Sequence, residues 1–213
     1  WNMSGPWLCH HIWEHYLYTK DIDFLKKYYP ILKGSATFCS EWLVENSEGE
    51  LVTPVSTSPE NAYLMPDGIS ASVCEGSTMD IAIIRSLFSN TINASKILQT
   101  DSLFCAELTQ KVNKLKKYQI GSKGQLLEWD KEYMENEPQH RHVSHLFGLY
   151  PGCDITDYTP ELFDAARKSL NARGNKTTGW SMAWKISLWA RLYNSLKAYE
   201  ALSNLCLLYT SPS

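Results

Sequence analysis

Apolar residues in this chain recur three and four positions apart, and no stretch alternates convincingly with period two. That spacing is the signature of amphipathic helix and argues against a sheet-based fold. Residues 7–19 carry it first, through Leu8, Ile12, Trp13, Tyr16 and Leu17. Asp21 is placed to cap a second segment running from Phe24 to Tyr29, and Pro30 is expected to break its phase or to begin a new helix. That next stretch presents Ile31, Phe38, Trp42 and Leu43 as its apolar face and ends near Glu45–Asn46. Ser77-Thr78-Met79-Asp80 resembles a capping box, with Asp in place of Glu, ahead of Ile81, Ile84, Phe88 and Ile92. Thr100–Asp101 caps a further segment through Leu108 and Val112 to about Lys117. Thr159-Pro160-Glu161 opens another helix and Arg173–Gly174 closes it. Residues 181–205 read as one last long helix through Trp184, Leu188, Leu192, Leu196 and Tyr199. The class is all-α, with six or seven helices in hairpins packed side by side. Without a fixed sequence period a solenoid is disfavoured, and an α/α toroid or barrel, or part of one, is expected.

Two long irregular stretches interrupt the helices, residues 46–77 and 121–139, and such loops are commonly functional. The first contains Thr53-Pro54-Val55-Ser56-Thr57-Ser58-Pro59-Glu60-Asn61. Its two prolines each remove a backbone donor and hold the preceding residue extended, so the segment is stiff without being helical. Glu60 is its one acid. Taken alone, the plainer reading is a solvated glutamate on a surface turn; the other is an acid held on a rigid loop for chemistry. The second stretch holds five acids, Glu128, Asp130, Glu132, Glu135 and Glu137, with Trp129 among them. His140-Arg141-His142-Val143-Ser144-His145 follows and reads as the start of a short helix stopped by Gly148 and Pro151–Gly152. On a helix His142 and His145 would share a face, but no HExxH pattern accompanies them and no metal site is expected. Arginine and histidine donors suit the hydroxyls of a sugar. Asp80 is accounted for by capping.

Composition narrows the classes. A net charge of −3 over 213 residues offers no electrostatic case for nucleic acid or an anionic membrane. No apolar run approaches the roughly 20 residues that span a bilayer. The six cysteines are scattered without a CxxC pair, which fits neither a zinc site nor a disulfide scaffold. Residues 173–180 carry two glycines but match neither phosphate-binding fingerprint. No signal sequence is visible, and the start at Trp1-Asn2-Met3 is expected to lie inside a longer protein.

In order, Gly5-Pro6-Trp7-Leu8 with His11-Ile12-Trp13-Glu14-His15-Tyr16, Ser58-Pro59-Glu60-Asn61, Gln125 to Asp130, His140 to Gly152, and Arg173–Gly174 with Gly179-Trp180-Ser181 and Trp184–Lys185 resemble the α-L-fucosidases of glycoside hydrolase family 95. The resemblance covers about residues 1–205. It implies part of an (α/α)6 barrel and hydrolysis of terminal α-L-fucosyl linkages with inversion. It further implies Glu60 as general acid, Arg141 and His142 as sugar-binding, Trp1 or Trp7 lining the pocket, and Glu128 and Trp129 near it. The expected partner is a fucosylated oligosaccharide or glycan, with no cofactor, no nucleic acid and no membrane insertion, in an extracellular or periplasmic setting.

The departures carry their own expectations. In the family, water is activated by asparagines of an Asn-x-Asn segment oriented by an aspartate in Asp-Gly-Asn, and this chain contains neither motif. The chain alone is therefore expected to be inactive. Residues 206–213 depart from the family pattern and are expected to be a non-native or divergent tail. The alternatives are another (α/α)6 carbohydrate-active enzyme, an α-L-galactosidase or a glycoside phosphorylase, and a non-catalytic helical scaffold.

Overall fold

The computed structural model describes residues 1–175 and 177–210, the last three of these by backbone alone. The described α-helices are α1 (Ser4–Thr19), α2 (Ile22–Trp42), α3 (Thr78–Leu98), α4 (Ser102–Lys114), α5 (Pro160–Arg173), α6 (Gly179–Arg191) and α7 (Ser195–Thr210), with a 3-10 turn at Ser144–Leu146. Contacts divide the chain into two compact units, residues 1–56 with 74–117, and residues 57–73 with 118–213.

In the first unit α1 packs on α2, α2 on α3, α1 on α3 and α3 on α4. The Asp21 cap forms as the sequence suggests, its Oδ1 accepting the Phe24 N–H at 2.9 Å. Pro30 does not break the helix: α2 runs through it for 21 residues. Pro30 and Lys26 both lie on the exposed side of the helix, where a missing backbone donor costs least. The buried faces match the expected ones only in part, with Trp13, Tyr16 and Leu43 buried as expected. In α1 the core residues are Cys9, Trp13 and Tyr16, while Leu8 and Leu17 are exposed; in α2 they are Leu25, Tyr29, Leu32, Ala36 and Cys39, while Ile31 and Phe38 are exposed. α3 is the centre of the unit. Met79 to Ile84 are all buried, and its large apolar side chains each contribute on the order of 1.5–3 kcal/mol by leaving water. Asp101 does not cap α4 through its side chain but accepts from Lys33 Nζ at 2.6 Å.

The capping motif before α3 also resolves differently. Ser77 Oγ accepts the Asp80 N–H at 3.4 Å, but the Asp80 carboxylate also accepts from outside the helix, from Ser56 Oγ at 2.6 Å and Thr53 Oγ1 at 3.1 Å. Burial pushes Asp80 up from 3.8 to about 6 against these hydroxyls. The folded protein thus binds this proton more tightly than the unfolded chain, and the group's contribution to stability falls as pH rises from about 4 to about 6. The expected fall is about 3 kcal/mol. Urea midpoints of the wild type and Asp80→Asn across this range should differ in slope, with the variant lacking this component.

The stretch 46–77 holds short antiparallel pairings rather than open loop. Val44–Glu45 pairs with Leu51–Val52 in the first unit. In the second, Tyr63–Leu64 lies between Ser70–Ala71 and Met134–Glu135. Gly49 at φ 79° and Gly68 at φ 83° turn the two hairpins, a left-handed conformation glycine adopts without steric cost.

In the second unit the expected helix over 181–205 is two. The chain turns at Leu192–Asn194, with Tyr193 at φ 56°, and Asn194 Oδ1 accepts the Lys197 N–H at 3.1 Å. Asn194 is therefore the cap of α7. α7 then packs back on α6, leaving Leu196 and Tyr199 exposed. The expected divergent tail begins inside α7, and residues 211–213 lie outside the described residues.

Candidate active site

The acid-bearing loop belongs to the second unit. The Asn61 N–H donates to the Ser58 carbonyl at 2.8 Å, closing a turn whose two central residues are Pro59 and Glu60. The Pro59–Glu60 peptide is cis. Glu60 stands at the tip, its side chain 65% exposed. The Arg141 guanidinium pairs with its carboxylate, and His142 Nε2 lies 3.6 Å from Oε2. Both partners are consecutive in sequence and precede the 3-10 turn, so the short helix expected there is reduced to Ser144–Leu146. An ion pair this exposed contributes at most about 1 kcal/mol to stability. Its consequence is placement: one acid faces two nitrogen donors on a neighbouring segment.

The histidines separate by environment. Burial first, and then the Arg141 charge, lower His142 below its ordinary value, leaving a neutral imidazole beside Glu60 at pH 7. His140 is lowered by burial and by His142, and its Nδ1 accepts the His142 N–H at 3.1 Å. His145 does not share a face with His142. It is buried, and desolvation with the Arg173 charge brings it down to about 3. The 3.5 Å approach of its Nδ1 to Glu128 Oε2 is accordingly a contact of a neutral ring and not an ion pair. Among the described residues no group of three or more His, Cys, Asp or Glu is gathered to hold a metal ion.

Glu128 and Trp129 lie inward, 5% and 3% exposed. Glu128 Oε1 accepts from Ser58 Oγ at 2.6 Å and from Ser144 Oγ at 3.3 Å; Asn61 Nδ2 donates to Oε2 at 3.2 Å. Arg173, at the end of α5 and itself 3% exposed, pairs with Glu128 and with Glu135 and donates to the Pro138 carbonyl at 2.9 Å. Trp129 packs edge-on against Tyr63 at 5.3 Å. The cavity bordered by Glu128, Trp129, His145 and Arg173 measures about 40 Å³. That is room for a few water molecules, well short of the ≈ 300 Å³ at which ligand pockets begin. Trp1 and Trp7 belong to the first unit, their rings 6.2 Å apart.

Three further residues touch the partners of Glu60 or the loop that carries it, and local sequence assigns them no role. Trp180, in the first turn of α6, is 58% exposed and stands 5.3 Å from the His142 ring. It offers an exposed aromatic face beside His142. Ser181 is fully buried and donates to the Arg141 carbonyl, fixing that backbone to α6. Ser144 joins Ser58 and Glu128. The Gly-Trp-Ser run was visible in the sequence, but nothing local distinguishes a tryptophan beside an acid from one in a core.

A model of the glycosyl hydrolase family 95 catalytic domain matches residues 1–211. The chain belongs to this family. It is 45% identical over 208 residues to alpha-L-fucosidase 2 of Arabidopsis thaliana, covering 96% of this chain and 25% of that protein. It is 32% identical over 214 residues to a probable alpha-fucosidase A of Aspergillus niger, covering 94% of this chain and 26% of that protein. A probable alpha-fucosidase A of Aspergillus oryzae is 31% identical over 168 residues, 72% of this chain and 22% of the relative. The chain thus spans about a quarter of the length of these relatives.

Proposed function

We propose that these residues form part of the catalytic domain of an inverting α-L-fucosidase, an incomplete (α/α)6 barrel in which Glu60 is the general acid. Support comes chiefly from the exposed Glu60 carboxylate at a turn tip, paired with Arg141 and beside a neutral His142, in a chain of this family. With Glu60 protonated when substrate is bound, a glycosidic oxygen entering between them takes that proton, and Arg141 pairs with the carboxylate left behind. Arg141 and His142 orient the sugar hydroxyls. Trp180 offers an aromatic face for the apolar side of a pyranose ring. The substrate is a fucosylated glycan, met outside the cell or in the periplasm.

Water activation in this reading falls to residues beyond the 213 of this chain. The 213-residue chain is expected not to hydrolyse an aryl α-L-fucoside, whereas a full-length protein containing it is expected to do so and to release β-L-fucose first. Proton NMR of the first-formed anomer measures this. Release of the α-anomer first would overturn inversion, and turnover by the short chain comparable to the full-length protein would overturn the need for further residues.

A further inference from the structure

We infer that Glu128 is a positioning residue for the acid, setting where Glu60 stands relative to Arg141 and His142, and that it does not bind substrate. The inference rests on Glu60 being the proton donor. Ser58 is two residues before Glu60 and Asn61 one after, and both donate to the Glu128 carboxylate. Ser144, two residues after His142, touches the same oxygen as Ser58 and touches Ser58 itself. One carboxylate therefore ties the acid's loop, on both sides of the acid, to the segment that carries its two nitrogen partners. Arg173 supplies the countercharge from α5, so the anchor stands on a helix end rather than on another loop. A buried carboxylate accepts these several donors at once, whereas an amide has one acceptor oxygen and brings two hydrogens of its own. With 4% of its side chain exposed and its oxygens facing Ser58, Asn61, Ser144 and Arg173, Glu128 is closed off from a sugar in solvent.

Proton transfer requires the acid within hydrogen-bond reach of the leaving oxygen, and a misplacement of about 1 Å costs on the order of a hundredfold. Glu128→Gln in a full-length enzyme is expected to lower kcat on a fucosyl oligosaccharide by about a hundredfold, with KM changed only a few-fold. The loss on α-L-fucosyl fluoride, whose leaving group needs little protonation, is expected to be much smaller. Ser58→Ala keeps the Glu128–Arg173 pair and guards against simple misfolding; the same asymmetry is expected at about tenfold. Glu128→Asp restores the charge beside Arg173 but retracts it by one methylene, so the fold is rescued and the asymmetry persists. Equal losses on both substrates, or no loss, in both Glu128→Gln and Ser58→Ala would overturn the inference, because a stability defect reduces the active fraction for all substrates alike.

Hydrogen exchange separates this outcome from failure of the fucosidase reading. The amides of residues 60–62 are expected to exchange faster in both variants while those of α6 do not change. Unchanged exchange overturns the positioning role. Faster exchange in a protein that cleaves neither substrate supports it and overturns the assigned reaction.

Discussion

Glu60→Gln is expected to lower turnover of a fucosyl oligosaccharide in a full-length enzyme by about 10²- to 10⁴-fold, the usual worth of a positioned general acid. The amide cannot give up a proton, so a leaving group with a basic oxygen must depart as an alkoxide. On α-L-fucosyl fluoride the same variant is expected to retain activity within about tenfold. Steady-state kinetics on the two substrates make the test, and a similar loss on both would remove the acid role from Glu60. The geometry also bears on binding. Glu60 is exposed and its loop is held by Ser58 and Asn61, so the substitution leaves the anchors in place and should not lower the denaturation midpoint.

Arg173→Met is expected to destabilise the second unit by about 3–5 kcal/mol, the cost of leaving a buried carboxylate without its partner. Arg173 and Glu128 are each 4% exposed in their side chains, whereas Glu135 is 33% exposed and can turn to water. The penalty therefore falls mainly on Glu128. The Pro138 carbonyl loses its donor as well. Removing both charges with Glu128→Gln should recover part of the loss, since the uncompensated charge is then gone. Urea denaturation of the wild type, Arg173→Met and the double variant measures the recovery. A single variant as stable as the wild type would show that Arg173 does not hold the loop carrying Glu128.

Helix existence was legible because its cause is local. The Asp21 cap, the Thr159–Pro160 start and the three- and four-residue spacing act within a few residues of themselves, and the helices they mark form. Where local signals competed, the outcome turned on exposure. Pro30 is tolerated because it lies on the exposed side of α2, and the apparent helix over 181–205 breaks because Asn194 caps a new one. Periodicity marked amphipathic stretches and placed Trp13, Tyr16 and Leu43 inside, but Leu8, Leu17, Ile31 and Phe38, equally well spaced, are exposed, because packing neighbours decide which side of a stripe is covered.

The site divides the same way. The stiffness of Ser58-Pro59-Glu60-Asn61, and the presence of one acid on it, follow from its prolines and could be read directly. That Arg141 and His142 meet this acid is decided across some 80 residues of sequence. Glu128 and Asp80 show it most plainly. Both are acids whose sequence surroundings allow a surface or capping role, and both are drawn inward by hydroxyl groups and, for Glu128, a guanidinium from distant segments. By itself the sequence determined that this protein is helical and that its acid sits on a rigid turn, since both follow from dihedral restriction and short-range spacing. Only the tertiary structure decided which acid faces solvent beside its partners and which is buried behind it, because desolvation and charge pairing depend on what the rest of the chain brings alongside.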